Sequence, residues 1–199
     1  MRRAFAYLAA IVAGCALGGG SALWMAGLWP EGRSLAFGNV DVGGWRSDFA
    51  IGSKAADPYT RARVARHGLL ALAKTEAVYF TRTTDDAGAP LSDRCHYRLS
   101  GGPMPARWWS VTLYDGQSML PDNTDAAPSI DATRAGPGAW AALIAPQRPD
   151  DGTLWISSRR AEAFDVTLRL YMPSAALLAD PNAALTPPRI ERISCEGAA

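Results

Sequence analysis

The feature that most restricts this chain is its start. Met1-Arg2-Arg3 is followed by Ala4 to Trp29, 26 residues without one charged side chain. A helix needs about 20 apolar residues to cross the hydrocarbon core of a bilayer, so the run is long enough to span it. Arg2 and Arg3, at the short N-terminal end, favour keeping that end in the cytoplasm. Everything beyond Pro30 would then lie across the membrane, in an oxidising space. The expectation is a single-pass inner-membrane protein that meets the bilayer through residues 4–29 and places its C-terminal domain in the periplasm.

Two alternatives stay open. Gly20-Ser21-Ala22 has the small residues of a signal-peptide cleavage site, and Val12-Ala13-Gly14-Cys15 looks like a lipobox, so the protein could be secreted or a lipoprotein. The anchor fits best, because signal h-regions run about 7–15 residues and here the apolar character continues past both sites. Trp24 and Trp29 suit an interfacial aromatic belt. Gly18-Gly19-Gly20 count against a helix at its centre. All three readings agree on export.

The 169 residues after Pro30 are enough for one domain with a real core. The expected organisation is a membrane segment (1–30), a linker with a first strand (31–48) and a β-domain (49–199). Without Arg2 and Arg3 the chain carries 18 basic against 19 acidic side chains, so no global field attracts nucleic acid. Cys15 lies in the apolar segment, which leaves Cys95 and Cys195 as one pair in the exported part. In an oxidising compartment such a pair often bridges. Both cysteines lie in strand-like segments, so a disulfide is expected; the alternative is two buried free thiols.

Along the chain, Asn39 to Trp45 reads as a first strand with a bend at Gly43-Gly44. Asp57-Pro58 marks a helix start, since aspartate caps well and proline suits the first turn. The helix should run to about Lys74, with Ala62, Ala65, Leu69, Leu72 and Ala73 on one face. The period then changes to two. Strands are expected at Glu76–Arg82, Cys95–Leu99, Arg107–Tyr114, Ala139–Ala145, Thr153–Ser157, Phe164–Met172 and Arg189–Ser194, and a short helix at Ser174–Ala179. Phe164, Val166, Leu168 and Leu170 alternate cleanly with Asp165, Thr167, Arg169 and Tyr171. The pattern is that of a mainly β (α+β) domain: an antiparallel β-sandwich with one main helix packed on it.

Three blocks of this sequence resemble a known bacterial family, domain of unknown function 1214. They are Ile51-Gly52-Ser53 to Tyr79, Cys95-His96-Tyr97-Arg98-Leu99-Ser100-Gly101 to Trp108-Trp109-Ser110-Val111-Thr112-Leu113-Tyr114-Asp115, and Leu168-Arg169-Leu170-Tyr171-Met172-Pro173 to Ile190. The resemblance covers about Phe49 to Cys195. It implies a jelly-roll-like sandwich and supplies almost no function. Many members carry a second β-domain ahead of this one; here an apolar segment stands in that place. The Asn-rich turn and the Asn-Trp-Leu-Pro stretch common in the family are reduced to Asp122-Asn123-Thr124-Asp125 and Leu154-Trp155-Ile156-Ser157.

Candidate chemistry is sparse. His67 and His96 show no metal-ligand spacing, and no serine nucleophile elbow or phosphate loop is present, so no metal or cofactor is expected. Asp85-Asp86 and Asp150-Asp151 read as solvated turns. Asp122 to Asp125 offers oxygen ligands but lacks the glycine and distal glutamate of a calcium loop. The basic stretch from Lys54 to Lys74 reads as a solvated helix face, with anionic head groups as the other candidate contact. The best candidate ligand site gathers Glu76, Tyr79, Arg98, Trp108, Asp115, Arg169 and Tyr171 on or beside the central strands. Aromatic packing and a cross-strand ion pair would account for the same residues. The leading expectation is a membrane-anchored envelope domain that binds an envelope protein partner or small ligand without catalysis. The alternative is an enzyme acting on an envelope or imported small molecule, together with a companion β-domain protein.

Overall fold

The computed structural model describes residues 2–26, 38, 40–54, 56–66 and 72–196. The linker at 31–37, His67 and the proposed helical residues Gly68 and Leu69 lie outside the described residues. Helix α1 (Arg2–Met25) reaches a mean hydropathy of 1.7 over an 18-residue window within Arg3–Met25, and is long and apolar enough to cross a membrane. Gly18-Gly19-Gly20 stay helical within it.

The rest is a two-sheet sandwich. Strands β1 (Val40–Val42), β2 (Trp45–Ser47), β3 (Ala77–Arg82), β5 (Ala106–Asp115), β6 (Ser129–Asp131) and β9 (Phe164–Pro173) form a sheet in the order β1-β2-β3-β9-β5-β6. The second sheet has the order β10-β4-β7-β8, from β4 (Cys95–Gly101), β7 (Trp140–Ala145), β8 (Leu154–Ser157) and β10 (Arg189–Cys195). Alternation decides which faces meet. Phe80, Val111, Leu113, Val166, Leu168 and Leu170 of the larger sheet are fully buried against Tyr97, Leu99, Ile144, Ile156 and Ile190 of the smaller one. Trp109 and Trp140 stack across the gap with ring centroids 4.5 Å apart.

The first strand is two strands. Gly43 and Gly44 both have positive φ (60° and 86°), so the expected bend is a tight hairpin turn pairing Val42 with Trp45. Asp57 caps α2 (Pro58–Arg66), accepting from the amides of Tyr59 at 2.8 Å and Thr60 at 3.1 Å. Leu72 and Ala73 are not helical, so the helix stops short of Lys74. There the chain turns into β3, with the Glu76 carboxylate accepting from the Ala73 amide at 3.0 Å. Val64 of α2 packs on Ile51, Ala77 and Tyr79, covering the β3 margin of the larger sheet's outer face. Lys54 and Arg61 are exposed, and Arg61 donates to the Ala56 and Lys54 carbonyls.

One pairing departs from the antiparallel expectation. β7 and β8 run parallel, Ala142 beside Leu154 through Ala145 beside Ser157. The intervening loop is short, yet it only has to climb back along a four-residue strand, so no crossover helix is needed. β6, α3 (Ala132–Ala135) and α5 (Pro181–Ala184) are too short for a period to be read; α4 (Ala175–Ala179) starts from its Ser174 cap.

Two clamps hold β10, an edge strand. Cys95 and Cys195 are register partners and form a disulfide. The second clamp corrects the reading of Asp85-Asp86 as a solvated turn. Asp85 is 1% exposed and takes Arg192 of β10, while Asp86 takes Arg189 at 3.0 Å and Arg82 at 3.0 Å. The reversal places both acids under the arginine-rich end of β10, and paired charges bury where lone ones do not. Burial alone would push the Asp86 carboxyl up. Hydrogen bonds from Arg189 and the Ile190 amide, with the charges of Arg82 and Arg189, outweigh it and hold the group below the usual range.

The disulfide closes a loop of 100 residues, for which chain entropy gives about 4–5 kcal/mol. The double substitution Cys95→Ser/Cys195→Ser should therefore lower unfolding free energy by about 2–5 kcal/mol in denaturant titration. An unchanged midpoint would mean that the bridge constrains nothing.

Candidate functional site

Because Phe164, Val166, Leu168 and Leu170 point into the core, Asp165, Thr167, Arg169 and Tyr171 must point outward from β9. Register then places neighbours beside each. Tyr79 and Ser110 flank Arg169, Trp108 and Ala77 flank Tyr171, Thr81 and Thr112 flank Thr167, and Tyr114 faces Asp165. The result is a polar and aromatic patch on the outer face of the larger sheet, beside the area that α2 covers.

Arg169 is its centre. The half-buried guanidinium donates to Thr112 Oγ1 at 2.9 Å and to the Tyr114 hydroxyl. It lies over the Tyr114 ring at 5.3 Å and the Tyr79 ring at 6.0 Å. Among the described residues no carboxylate comes within ion-pair distance of it. Tyr171 and Trp108 form a wall on one side, ring centroids 5.3 Å apart, and Trp108 is anchored by a 3.1 Å hydrogen bond to Thr133 Oγ1 of α3. Trp108 remains 37% exposed, so the wall is open to solvent. Burial, with Tyr171 adding to it, pushes the Tyr79 phenol up, although Arg169 pulls it down.

Thus Tyr79, Trp108, Arg169 and Tyr171 meet in one patch. The other three candidates lie elsewhere. Glu76 is exposed and caps the turn before β3. Asp115 ends β5, where its carboxylate accepts from the amides of Gln117 at 2.8 Å and Met119 at 2.9 Å. Arg98 is exposed on the smaller sheet, opposite in phase to the buried Tyr97 and Leu99. His96 shares that outer face. Asp122 to Asp125 is a structural turn: Asn123 donates to the Arg159 carbonyl, and Asp125 holds Ser157 and Arg159.

Sequence reasoning missed Thr112, Tyr114 and Asp165. Asp165 carried a signal, a carboxylate flanked by Phe164 and Val166 in the most regular strand of the chain. It is 6% exposed, and its Oδ1 has no hydrogen-bond partner among the described residues. Burial pushes its carboxyl up to about 7, aided by Asp115 and opposed by the Thr167 hydroxyl and Arg169.

The family model described as "Protein of unknown function (DUF1214)" matches residues 76–175, from the turn before β3 into α4. This chain belongs to that family. The matched DUF1214 region contains the whole patch but neither Cys195 nor β10. Among solved structures, the chain is similar to the VPA0106 protein from Vibrio parahaemolyticus (18% identity, TM-score 0.55), over 70% of this chain and 36% of that one. It is also similar to an uncharacterized protein from Burkholderia cenocepacia (16% identity, TM-score 0.42), over 90% of this chain and 41% of that one. The chain spans well under half the length of either, and at such identity the Vibrio likeness speaks for the fold alone. No curated protein matches the chain.

Asp165 has a clear pH signature. Its folded-state value of about 7 lies above the unfolded 3.8, so the native state binds more protons between these limits and stability falls as pH rises through them. The Asp165→Asn variant should flatten that decline and be more stable than the parent at pH 8, by on the order of 4 kcal/mol if ionisation is fully penalised. Urea titrations at pH 5 and pH 8 measure it; parallel pH profiles would contradict the assignment.

Proposed function

We propose that this protein is a membrane-anchored, periplasmic binding domain that takes a small anion-bearing ligand on the outer face of its larger sheet, without catalysing a reaction. The observation that carries the reading is Arg169. A guanidinium brings a fixed positive charge, and half-burying one without a counter-ion is costly unless something compensates. Here two hydroxyls and two tyrosine rings hold it in place, but none of them neutralises it. A carboxylate or phosphate group would complete the site through charge-assisted hydrogen bonds. The Trp108–Tyr171 wall would receive a planar or apolar body beside it.

Placement supports the same reading. α1 is apolar enough to anchor the chain, Arg2 and Arg3 favour a cytoplasmic N-terminus, and the Cys95–Cys195 bridge suits an oxidising compartment. The second reading, an enzyme acting on an envelope or imported small molecule with a companion β-domain protein, draws on Asp165. A carboxyl titrating near 7 is suited to proton transfer.

With benzoate as probe and the full chain in detergent, calorimetry should detect saturable binding that Arg169→Met weakens at least tenfold. Equal affinity in parent and variant would sink the proposal. For topology, alkaline phosphatase fused after Ala199 should be active, since it folds only on the exported side; a cytoplasmic reporter active in the same position would reverse the placement.

A further inference from the structure

A cavity of about 520 Å³ opens between α3 and the loop that joins β7 to β8, and its lining includes Arg134, Arg148, Asp150, Gly152 and Trp155. It shares no residue with the Arg169 patch. The fold fixes both arginines. Asp131 caps α3, and Arg134 on that turn donates to the Ser129 carbonyl at 2.9 Å. The Arg148 guanidinium lies over the Trp155 ring at 5.2 Å, and the indole is itself held by a 2.9 Å hydrogen bond to the Ala145 carbonyl. Neither contact brings a negative charge. Among the described residues, Arg134, Arg148 and Asp150 take part in no ion pair.

An exposed arginine is ordinarily solvated by itself. Here two line one concavity, where their like charges oppose each other until an anion joins them. A divalent cation does not suit a wall with two guanidiniums and a single carboxylate. A free carboxylate presents two coplanar oxygens, enough for one guanidinium fork. A phosphate ester presents its oxygens tetrahedrally, so a guanidinium from α3 and another from the loop can each hold it. Asp150 adds an acceptor for a hydroxyl. Asp151 is occupied in the turn, where its carboxylate accepts from the Thr153 amide at 3.0 Å. The volume falls within the roughly 300–1,000 Å³ of small-molecule sites, larger than a bare ion needs.

We propose that the cavity between α3 and the β7–β8 loop binds the phosphate ester of a small polyol, with Arg134 and Arg148 on the phosphate and Asp150 accepting from a hydroxyl. This site does not rest on the anion reading of Arg169. Gly152, at φ 75°, makes the turn that carries Asp150, a backbone shape that favours glycine. The carboxylate opposes the anion and rewards only a hydroxyl, so the site selects the ester over inorganic phosphate.

The test uses the full chain in detergent and glycerol phosphate as probe, followed by NMR through the amides of Arg134, Asp150 and Gly152 and the indole N–H of Trp155. The expected result is saturable shifts at these groups, with affinity weakened about tenfold in Arg134→Gln and in Arg148→Gln. Both side chains are exposed, so each variant should fold. Asp150→Ala should lower the preference for glycerol phosphate over inorganic phosphate about tenfold, a change that a loss of structure would not produce. Dihexanoylphosphatidylglycerol tells the sources apart: tighter binding than glycerol phosphate places the ester in a lipid headgroup, weaker binding in a soluble molecule. Shifts confined to the Arg169 patch, none that saturate, undiminished affinity in both arginine variants, or an unchanged preference in Asp150→Ala would overturn the proposal.

Discussion

The period-two alternation of β9 is the constraint on which the rest depends. Its even positions from Phe164 to Leu170 fill the core between the sheets, and every one is at most 4% exposed. Because side chains alternate across a strand, that burial leaves Asp165, Thr167, Arg169 and Tyr171 no choice but the opposite face. A register slip by one residue would bury the guanidinium of Arg169 and expose four apolar side chains. Core stability and site geometry are therefore two consequences of one pattern.

The patch also needs a rigid floor. β9 lies between β3 and β5, so Arg169 sits inside the sheet and not at an edge. The smaller sheet backs it through the core, and its outermost strand, β10, is fastened twice: covalently through Cys95–Cys195, and ionically through Asp85 and Asp86 with Arg82, Arg189 and Arg192. The two clamps answer to different conditions. The first is lost on reduction. The ionic one weakens in acid, because Asp86 is held below its ordinary range and its contribution disappears as it protonates.

Most of the fold was legible because it is written in local patterns. β9, β5 and β4 announce themselves by alternation, α2 by Asp57-Pro58, and α4 by Ser174. What was not legible is what depends on distant segments meeting. Asp85-Asp86 has the composition of a solvated turn, and only the return of β10 a hundred residues later buries Asp85. The parallel pairing of β7 with β8 leaves no trace in either strand. The candidate site divides the same way. Tyr79, Trp108, Arg169 and Tyr171 share a face through strand register. Glu76 and Asp115 were drawn in by proximity in sequence, yet each is occupied in a turn, and Arg98 belongs to the other sheet. Thr112 and Tyr114 became visible only when β5 was set beside β9.

A bilayer-length helix, a disulfide-bridged sandwich and an outward-facing arginine meet in one chain, and among the described residues no carboxylate lies within ion-pair distance of that arginine. The outer face around Arg169 is where we propose that this DUF1214 domain meets its ligand. The most direct measurement is amide chemical-shift mapping of the full chain in nanodiscs on addition of benzoate. If Arg169 is the anion site, saturable shifts cluster at Tyr79, Trp108, Thr112, Arg169 and Tyr171. Shifts clustered on the smaller sheet, or none that saturate, would contradict it.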